Sequence, residues 1–307
     1  MSKPVAAPTT AHKASSHPKV MQDSFKALVP GCAMPQSQWL ARNDGPDLHL
    51  LNWGGDGPPV VLLHGGALSA HTWSRLCALV RQDYRCIALD LRGHGDSDWA
   101  DSYRIEECVD DVAYAIETMG VSRPHLVGMS LGGIVSAYLV LNQGASRFSS
   151  LALVDVAPGV SFAATRKLRD FVDAPTVQQG VPALVDATRA LGSEKTDAEL
   201  IYRYTSLVRP HRGSGWAWKQ DRRVPIDYAH ILDRLALLRT FAASLSLPVL
   251  VARGALSKML SSEAALDFAR RTPTGECHII PAAGHSIQED NPLGLADVLC
   301  GFWRSTG

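Results

Sequence analysis

Six stretches of the chain are short, unbroken runs of apolar and β-branched residues, each closed by glycine, proline or a polar turn. They are PPVVLLHGG, YRCIALDLRGHG, HLVGMS, LALVDVAP, LPVLVARG and CHIIPAAGH. A strand buried on both faces has this continuous character, whereas a strand with one wet face alternates. Between the second and third runs, YRIEECVDDVAYAIETMG carries Ile105, Val109, Val112 and Ile116 at helical spacing, with Gly120 placed to close the end. LGGIVSAYLVLNQG, after HLVGMS, reads as another helix, and its Gly132 and Gly133 permit a close approach to a neighbouring strand. Strand and helix signals in alternation predict a mostly parallel sheet covered by helices.

From about Gly159 to Leu245 the strand signals vanish. FAATRKLRDFVDA, VPALVDATRALG, DAELIYRYTSLV and YAHILDRLALLRTFAASL have helical character and are joined by polar turns with Pro and Gly. They read as a helical insertion between two strands. The expected division is a disordered tail over 1–36, an α/β core over 37–158 and 246–307, and a helical cap over 159–245. The tail opens MSKPVAAPTTAHKASSHPKV, rich in Ala, Pro, Ser and Thr and without the apolar block of a secretory signal. It is acid-poor like a transit peptide, but it lacks Arg, and its three prolines oppose an amphipathic helix.

Composition narrows the function classes. Thirty Lys and Arg balance thirty Asp and Glu in 307 residues, which argues against bulk attraction to nucleic acid or an anionic membrane. No apolar run has the length of a bilayer span. The six cysteines (Cys32, Cys77, Cys86, Cys108, Cys277, Cys300) show no CxxC and no metal-like cluster, so they read as reduced thiols of a cytoplasmic protein. The expected partner is a small-molecule substrate; monomer and homodimer both stay open.

The strongest chemical signal is Gly128-Met129-Ser130-Leu131-Gly132, a GxSxG between a strand pattern and a helix pattern. A nucleophile elbow needs that context, because the chain turns sharply there and only small flanking residues avoid a clash. The oxyanion of an attacked carbonyl requires donors: the Leu131 N–H, and one from the loop His64-Gly65-Gly66-Ala67. Gly66 is the first choice there and Ala67 the near alternative. His64 itself reads as a brace of that loop. A serine hydroxyl needs a base, and His285 in PAAGHSIQEDNP follows the last strand run and the serine in chain order. His71 and His94 are expected in structural or substrate-facing roles. Trp216 and Trp218 in GSGWAWKQDRR are candidates for an apolar substrate wall or for packing within the cap, while Lys219, Arg222 and Arg223 read as a solvated face.

With LLHGGALSAHTW, ALDLRGHGDSDW, LVGMSLGG, LVDVAP and AAGHSIQEDNP, the chain resembles the α/β-hydrolase fold superfamily, in particular its lid-bearing bacterial esterase, epoxide-hydrolase and dehalogenase-like branch. The resemblance runs from about residue 47 to the C-terminus. It implies an eight-stranded, mostly parallel sheet with a helical cap after strand 6, a Ser–His–acid site, and no metal or cofactor. Ser130 in place of the aspartate nucleophile of dehalogenases and epoxide hydrolases disfavours an alkyl-enzyme ester.

One position departs from the pattern. Relatives usually read RGxxSD after the VLVxRG strand, the aspartate being the triad acid, whereas here Arg253-Gly254-Ala255-Leu256-Ser257 is followed by Lys258. An ammonium there would repel the imidazolium that the acid normally stabilises. Asp155 in LVDVAP, at the end of an earlier strand, is the leading substitute, as in certain dehalogenases and cofactor-independent dioxygenases. Glu263 and Asp267 are weaker ones, expected on a helix that points elsewhere. The resulting expectation is a serine hydrolase of a small, largely apolar ester, using Ser130, His285 and Asp155. A catalytically degraded ligand binder is the alternative that Lys258 raises, and a cofactor-independent oxygenase is a third.

Overall fold

A computed structural model describes residues 18–161, 180–211, 215–224 and 227–306. The chain begins with α1 (Pro18–Leu28), β1 (Gln36–Leu40), β2 (Leu48–Asn52) and β3 (Pro59–Leu63), followed by α2 (Ser74–Val80) and β4 (Arg85–Leu89). It continues with α3 (Ile105–Thr118), β5 (His125–Met129), α4 (Leu131–Gln143) and β6 (Ser150–Val154). Then come α5 (Val181–Ala190), α6 (Asp197–Leu207), β7 (Val208–Pro210), β8 (Trp216–Trp218) and α7 (Tyr228–Thr240). The chain returns through β9 (Val249–Gly254), α8 (Ser262–Arg271) and β10 (Gly275–Ile280), and ends with α9 (Ile287–Asp290) and α10 (Pro292–Thr306).

Eight strands form one sheet in the order β1-β2-β4-β3-β5-β6-β9-β10. The β1–β2 and β2–β4 pairs are antiparallel and every other pair is parallel, so β2 alone runs against its neighbours. All six apolar runs became the parallel strands β3, β4, β5, β6, β9 and β10. Successive side chains on a strand point to opposite faces, which splits the core into two layers. Val61, Leu63, Ile87 and Leu89 pack with Ile105, Val109, Val112 and Ile116 of α3 and with Ile134 and Val135 of α4. Val60, Leu62, Cys86 and Ala88 pack with Leu76 of α2 and with Leu295, Leu299 and Trp303 of α10. In the register, Leu63 faces Gly128 and Gly128 faces Leu153, so β3, β5 and β6 end side by side. Their C-terminal ends carry His64, Ser130 and Asp155.

Two expectations change. Within the stretch 18–36 expected as tail, Pro18–Leu28 forms helix α1, in which Met21 and Phe25, four residues apart, bury one stripe against Tyr202 of α6. The Phe25 and Tyr202 rings lie 5.7 Å apart. Residues 1–17 lie outside the described part. Between β6 and β9 lie α5, α6 and α7, and also the antiparallel pair β7–β8, of three residues each, too short to register as a period. The predicted helix FAATRKLRDFVDA falls outside the described residues. No helix among the described residues is long and apolar enough to cross a membrane.

Candidate active site

Ser130 sits where β5 turns into α4, with φ +50° and ψ −116°. A side-chain-bearing residue held in that region costs on the order of 1–3 kcal/mol, and the surroundings must enforce it. They do so by close approach. A methyl on Gly128 would fall 2.4 Å from the Gly132 carbonyl oxygen, and one on Gly132 would fall 2.3 Å from that of Leu63. The Ser130 N–H donates to Val154 O at 3.2 Å and the Gly132 N–H to His64 O at 3.1 Å, tying the elbow to both flanking strands. The Ser130 hydroxyl makes no hydrogen bond among the described residues.

The loop after β3 runs alongside. A methyl on Gly65 would lie 3.3 Å from the Ser130 Cβ, and Ala67 has φ +62°. As the first helical residue, Leu131 has no intrahelical acceptor for its N–H. None of the N–H groups of Leu131, Gly66 and Ala67 is taken by an acceptor among the described residues. His64 is fully buried and shapes this loop: its Nε2 accepts the Leu91 N–H at 3.0 Å, which leaves Nδ1–H to donate to Gly65 O at 2.8 Å. Burial lowers its pKa, in keeping with a neutral ring.

At the end of β6, Asp155 is fully buried with φ +51°. Its N–H donates to Ala252 O at 2.7 Å, which locks the turned backbone onto β9. Three donors reach its carboxylate. The His285 Nδ1 lies 2.7 Å from Oδ2, the Ser257 hydroxyl donates to Oδ2 at 2.5 Å, and the Gly254 N–H donates to Oδ1 at 3.1 Å. With Nδ1–H directed at a carboxylate, the Nε2 lone pair of His285 is the free one. The imidazole loop is held closely: a methyl on Gly254 would sit 2.1 Å from Gly284 O, and the Gly284 N–H donates to Asp290 Oδ2 at 2.9 Å. Asp290 and Glu289 in turn pair with Lys195 and with Arg203 of α6, both at 2.7 Å. The insertion is thereby tied to the helix that follows His285.

Lys258 is exposed and joins no ion pair among the described residues. Its turn is wrapped around Arg253, whose guanidinium donates to Leu260 O at 2.7 Å and Ser257 O at 3.1 Å. Glu263 is exposed and Asp267 pairs with Arg271 at 2.9 Å, and the ion pair of the imidazole among the described residues is with Asp155. Trp218 packs with Val181, Leu184, Leu200, Tyr204 and Leu207, with Trp216 against the same cluster. These contacts are those of packing within the insertion, the second of the two roles expected for the pair. Lys219 departs from the solvated face expected of it: it is buried and paired with Asp96 at 2.8 Å. His71 bonds Tyr202 at 2.7 Å and His94 bonds Arg92 O at 3.0 Å, both buried and both lowered to a pKa of about 4 by burial first. Ligand atoms of His49, Asp90 and Asp96 lie within 4.8 Å of one another. Protein donors already occupy their oxygens, namely the Ala70 and Asp96 N–H groups and Lys219, which leaves poor provision for a cation. Two contributors escaped the sequence reading: Ser257 as a donor to Asp155, and Gly254 as the point of close approach. The residue just before Lys258 was the available hint.

A strained serine between glycines, nearby N–H groups without an acceptor among the described residues and an imidazole backed by a carboxylate are the parts from which an acyl-transfer site is built. The family model for the alpha/beta hydrolase fold matches residues 58–292. The chain belongs to the α/β hydrolase fold family. Among its relatives in that family is an esterase of Mycobacterium tuberculosis, 28% identical over 272 residues, spanning 82% of this chain and 84% of that protein. The crystal structure of that esterase superposes with a TM-score of 0.74, covering 92% of this chain and 96% of that one at 25% identity. A 3-hydroxybutyrate-oligomer hydrolase of Cupriavidus necator is 25% identical over 262 residues, spanning 80% of this chain and 88% of the relative.

Proposed function

We propose that this hydrolase-family protein is a serine esterase that cleaves small, largely apolar esters through an acyl-enzyme. Ser130 attacks the carbonyl carbon while His285 Nε2 takes its proton, and the Leu131 and Gly66 N–H groups, with Ala67 adjacent, receive the developing oxyanion. His285 then protonates the departing alkoxide. Water activated by the same imidazole releases the acid. Asp155 holds the ring with Nδ1–H inward and stabilises the imidazolium that forms at each proton transfer. The reading rests above all on the 2.7 Å contact between His285 Nδ1 and the buried Asp155. It speaks against a degraded site, since Asp155 rather than residue 258 is the carboxylate beside the imidazole. The relatives named an esterase and a 3-hydroxybutyrate-oligomer hydrolase favour an ester as the bond cleaved.

The test is hydrolysis of p-nitrophenyl acetate and butyrate, together with labelling by a fluorophosphonate. Wild-type protein should turn over the esters and carry the label on Ser130. Ser130→Ala should lower kcat by roughly three to six orders of magnitude, as nucleophile removal does in serine hydrolases. A folded wild-type protein that neither turns over an ester nor takes the label would overturn the proposal.

A further inference from the structure

We propose that Ser37 is a second, surface nucleophile that accepts acyl groups from activated esters, with His49 as its base and Asp90 orienting that base. Ser37 lies on β1 and is exposed. Its Oγ is 2.6 Å from His49 Nε2, and His49 Nδ1 is 2.7 Å from Asp90 Oδ2. His49 and Asp90 are each 1% exposed, so this pair is shielded from water up to the hydroxyl it serves.

The hydrogen-bond roles follow from the ends inward. A carboxylate can only accept, so Nδ1 carries the proton that faces Asp90, and Nε2 presents a lone pair to the Ser37 hydroxyl. Asp90 is fixed as that acceptor. Its Oδ1 takes the Ala70 N–H at 2.6 Å and its Oδ2 also takes the Asp96 N–H at 2.9 Å. Burial alone would raise its pKa, but His49, His64 and these N–H groups prevail and hold it below the usual carboxylate range. The ring of His49 is clamped by Trp39, its cross-strand partner, with centroids 4.6 Å apart. Thus the hydrogen bond from hydroxyl to base is made at Ser37, whereas the Ser130 hydroxyl makes none among the described residues.

The two serines are independent. Four strand spacings separate β1 from β5 in the sheet, about 19 Å at the usual interval. In the step proposed, Ser37 Oγ bonds to the acyl carbon as its proton passes to His49 Nε2. The carbon–oxygen bond to the leaving group then breaks, and the leaving group takes that proton. The product is O-acyl-Ser37 with the alcohol or phenol released. Ser37 is not at a strand-to-helix elbow and no glycine loop flanks it, so it has no pre-set pair of N–H donors. Its reaction should be confined to donors with good leaving groups and should stop after one acylation.

The test uses full-length Ser130→Ala protein with p-nitrophenyl acetate, read by peptide mass spectrometry. Ser122 is exposed and bonded to no histidine among the described residues, and it serves as the internal reference. Acetyl occupancy at Ser37 should exceed that at Ser122 at least tenfold, and His49→Gln should abolish the excess. Because His49 is buried, the His49→Gln change is also made with Ser130 intact, where continued ester turnover shows that the fold persists. Ser37→Ala in the native background should leave ester turnover unchanged. Equal occupancy at Ser37 and Ser122, or an excess that survives His49→Gln, would overturn the inference whether or not Ser130 is itself reactive.

Discussion

The molecule holds two imidazole–carboxylate pairs, His285–Asp155 and His49–Asp90, that are alike, and each is proposed to serve a serine. In each, the histidine Nδ1 lies 2.7 Å from an aspartate Oδ2, and each aspartate is 1% exposed or less. They differ in the backbone around the serine. Ser130 and Asp155 have φ of +50° and +51°, and Ala67 beside them has +62°, whereas Ser37 sits in a regular strand. Positive φ marks the turns around Ser130, where the N–H groups of Leu131, Gly66 and Ala67 find no acceptor among the described residues, while Ser37 has no such turn. An oriented base is thus easily built on a β-sheet. What distinguishes a turnover site is the arrangement of donors that receives the charge produced by the base.

The largest way to break the comparison is Asp155→Asn. Asparagine tolerates positive φ, so the fold should hold, but the imidazole loses the acceptor that fixes its tautomer. Loss of that role costs about four orders of magnitude in kcat of a serine protease, and a fall of similar size is expected here with p-nitrophenyl butyrate. Acetylation of Ser37 should not change in the same variant. A fall of less than tenfold would mean that another group orients His285.

A smaller effect is expected of Ser257→Ala. Its hydroxyl donates to Asp155 Oδ2 and accepts the Met259 N–H at 3.2 Å, so it sets the carboxylate against the turn. Hydrogen bonds to charged groups contribute about 1.5–3 kcal/mol, which corresponds to roughly 10–150-fold. As a positioning residue, Ser257 should affect kcat and leave KM in place. A rise in KM at constant kcat would assign it to substrate binding instead.

Much of the scaffold was legible because its signals are local. Unbroken apolar runs announce doubly covered strands, and the GxSxG lies between one such run and a helix. Helix α1 was hidden because the composition of the first twenty residues masks the single pair Met21 and Phe25, whose meaning depends on Tyr202 nearly 180 positions later. Trp216 and Trp218 were ambiguous for a similar reason: only the β7–β8 pairing decides what they face. The Ser37–His49 contact depends on the antiparallel register that sets Trp39 opposite His49, and no spacing in the sequence encodes it. For Asp155, the strand end was readable. The turned backbone and the Ser257 donor, which aim its carboxylate at the imidazole, were not.

Lys258→Asp sharpens the comparison by the smallest change. It restores the residue type that the family pattern implies at this position, so a pattern-based argument expects a gain. The geometry argues otherwise. His285 has one Nδ1 proton to give, and Asp155 takes it at 2.7 Å while held by Ser257 and Gly254. A new carboxylate would have to displace that partner and place a second negative charge beside a buried one, which is unfavourable. The turn is also pinned by Arg253 to the carbonyls of Ser257 and Leu260, so the exposed side chain at 258 has little freedom to turn inward. Stability should stay within about 0.5 kcal/mol and kcat/KM within about twofold of wild type, as for surface changes generally. A tenfold gain would show that the imidazole prefers the restored acid. In the Asp155→Asn background, where the competing carboxylate is gone, the same substitution should recover part of the lost activity if the turn can open at all.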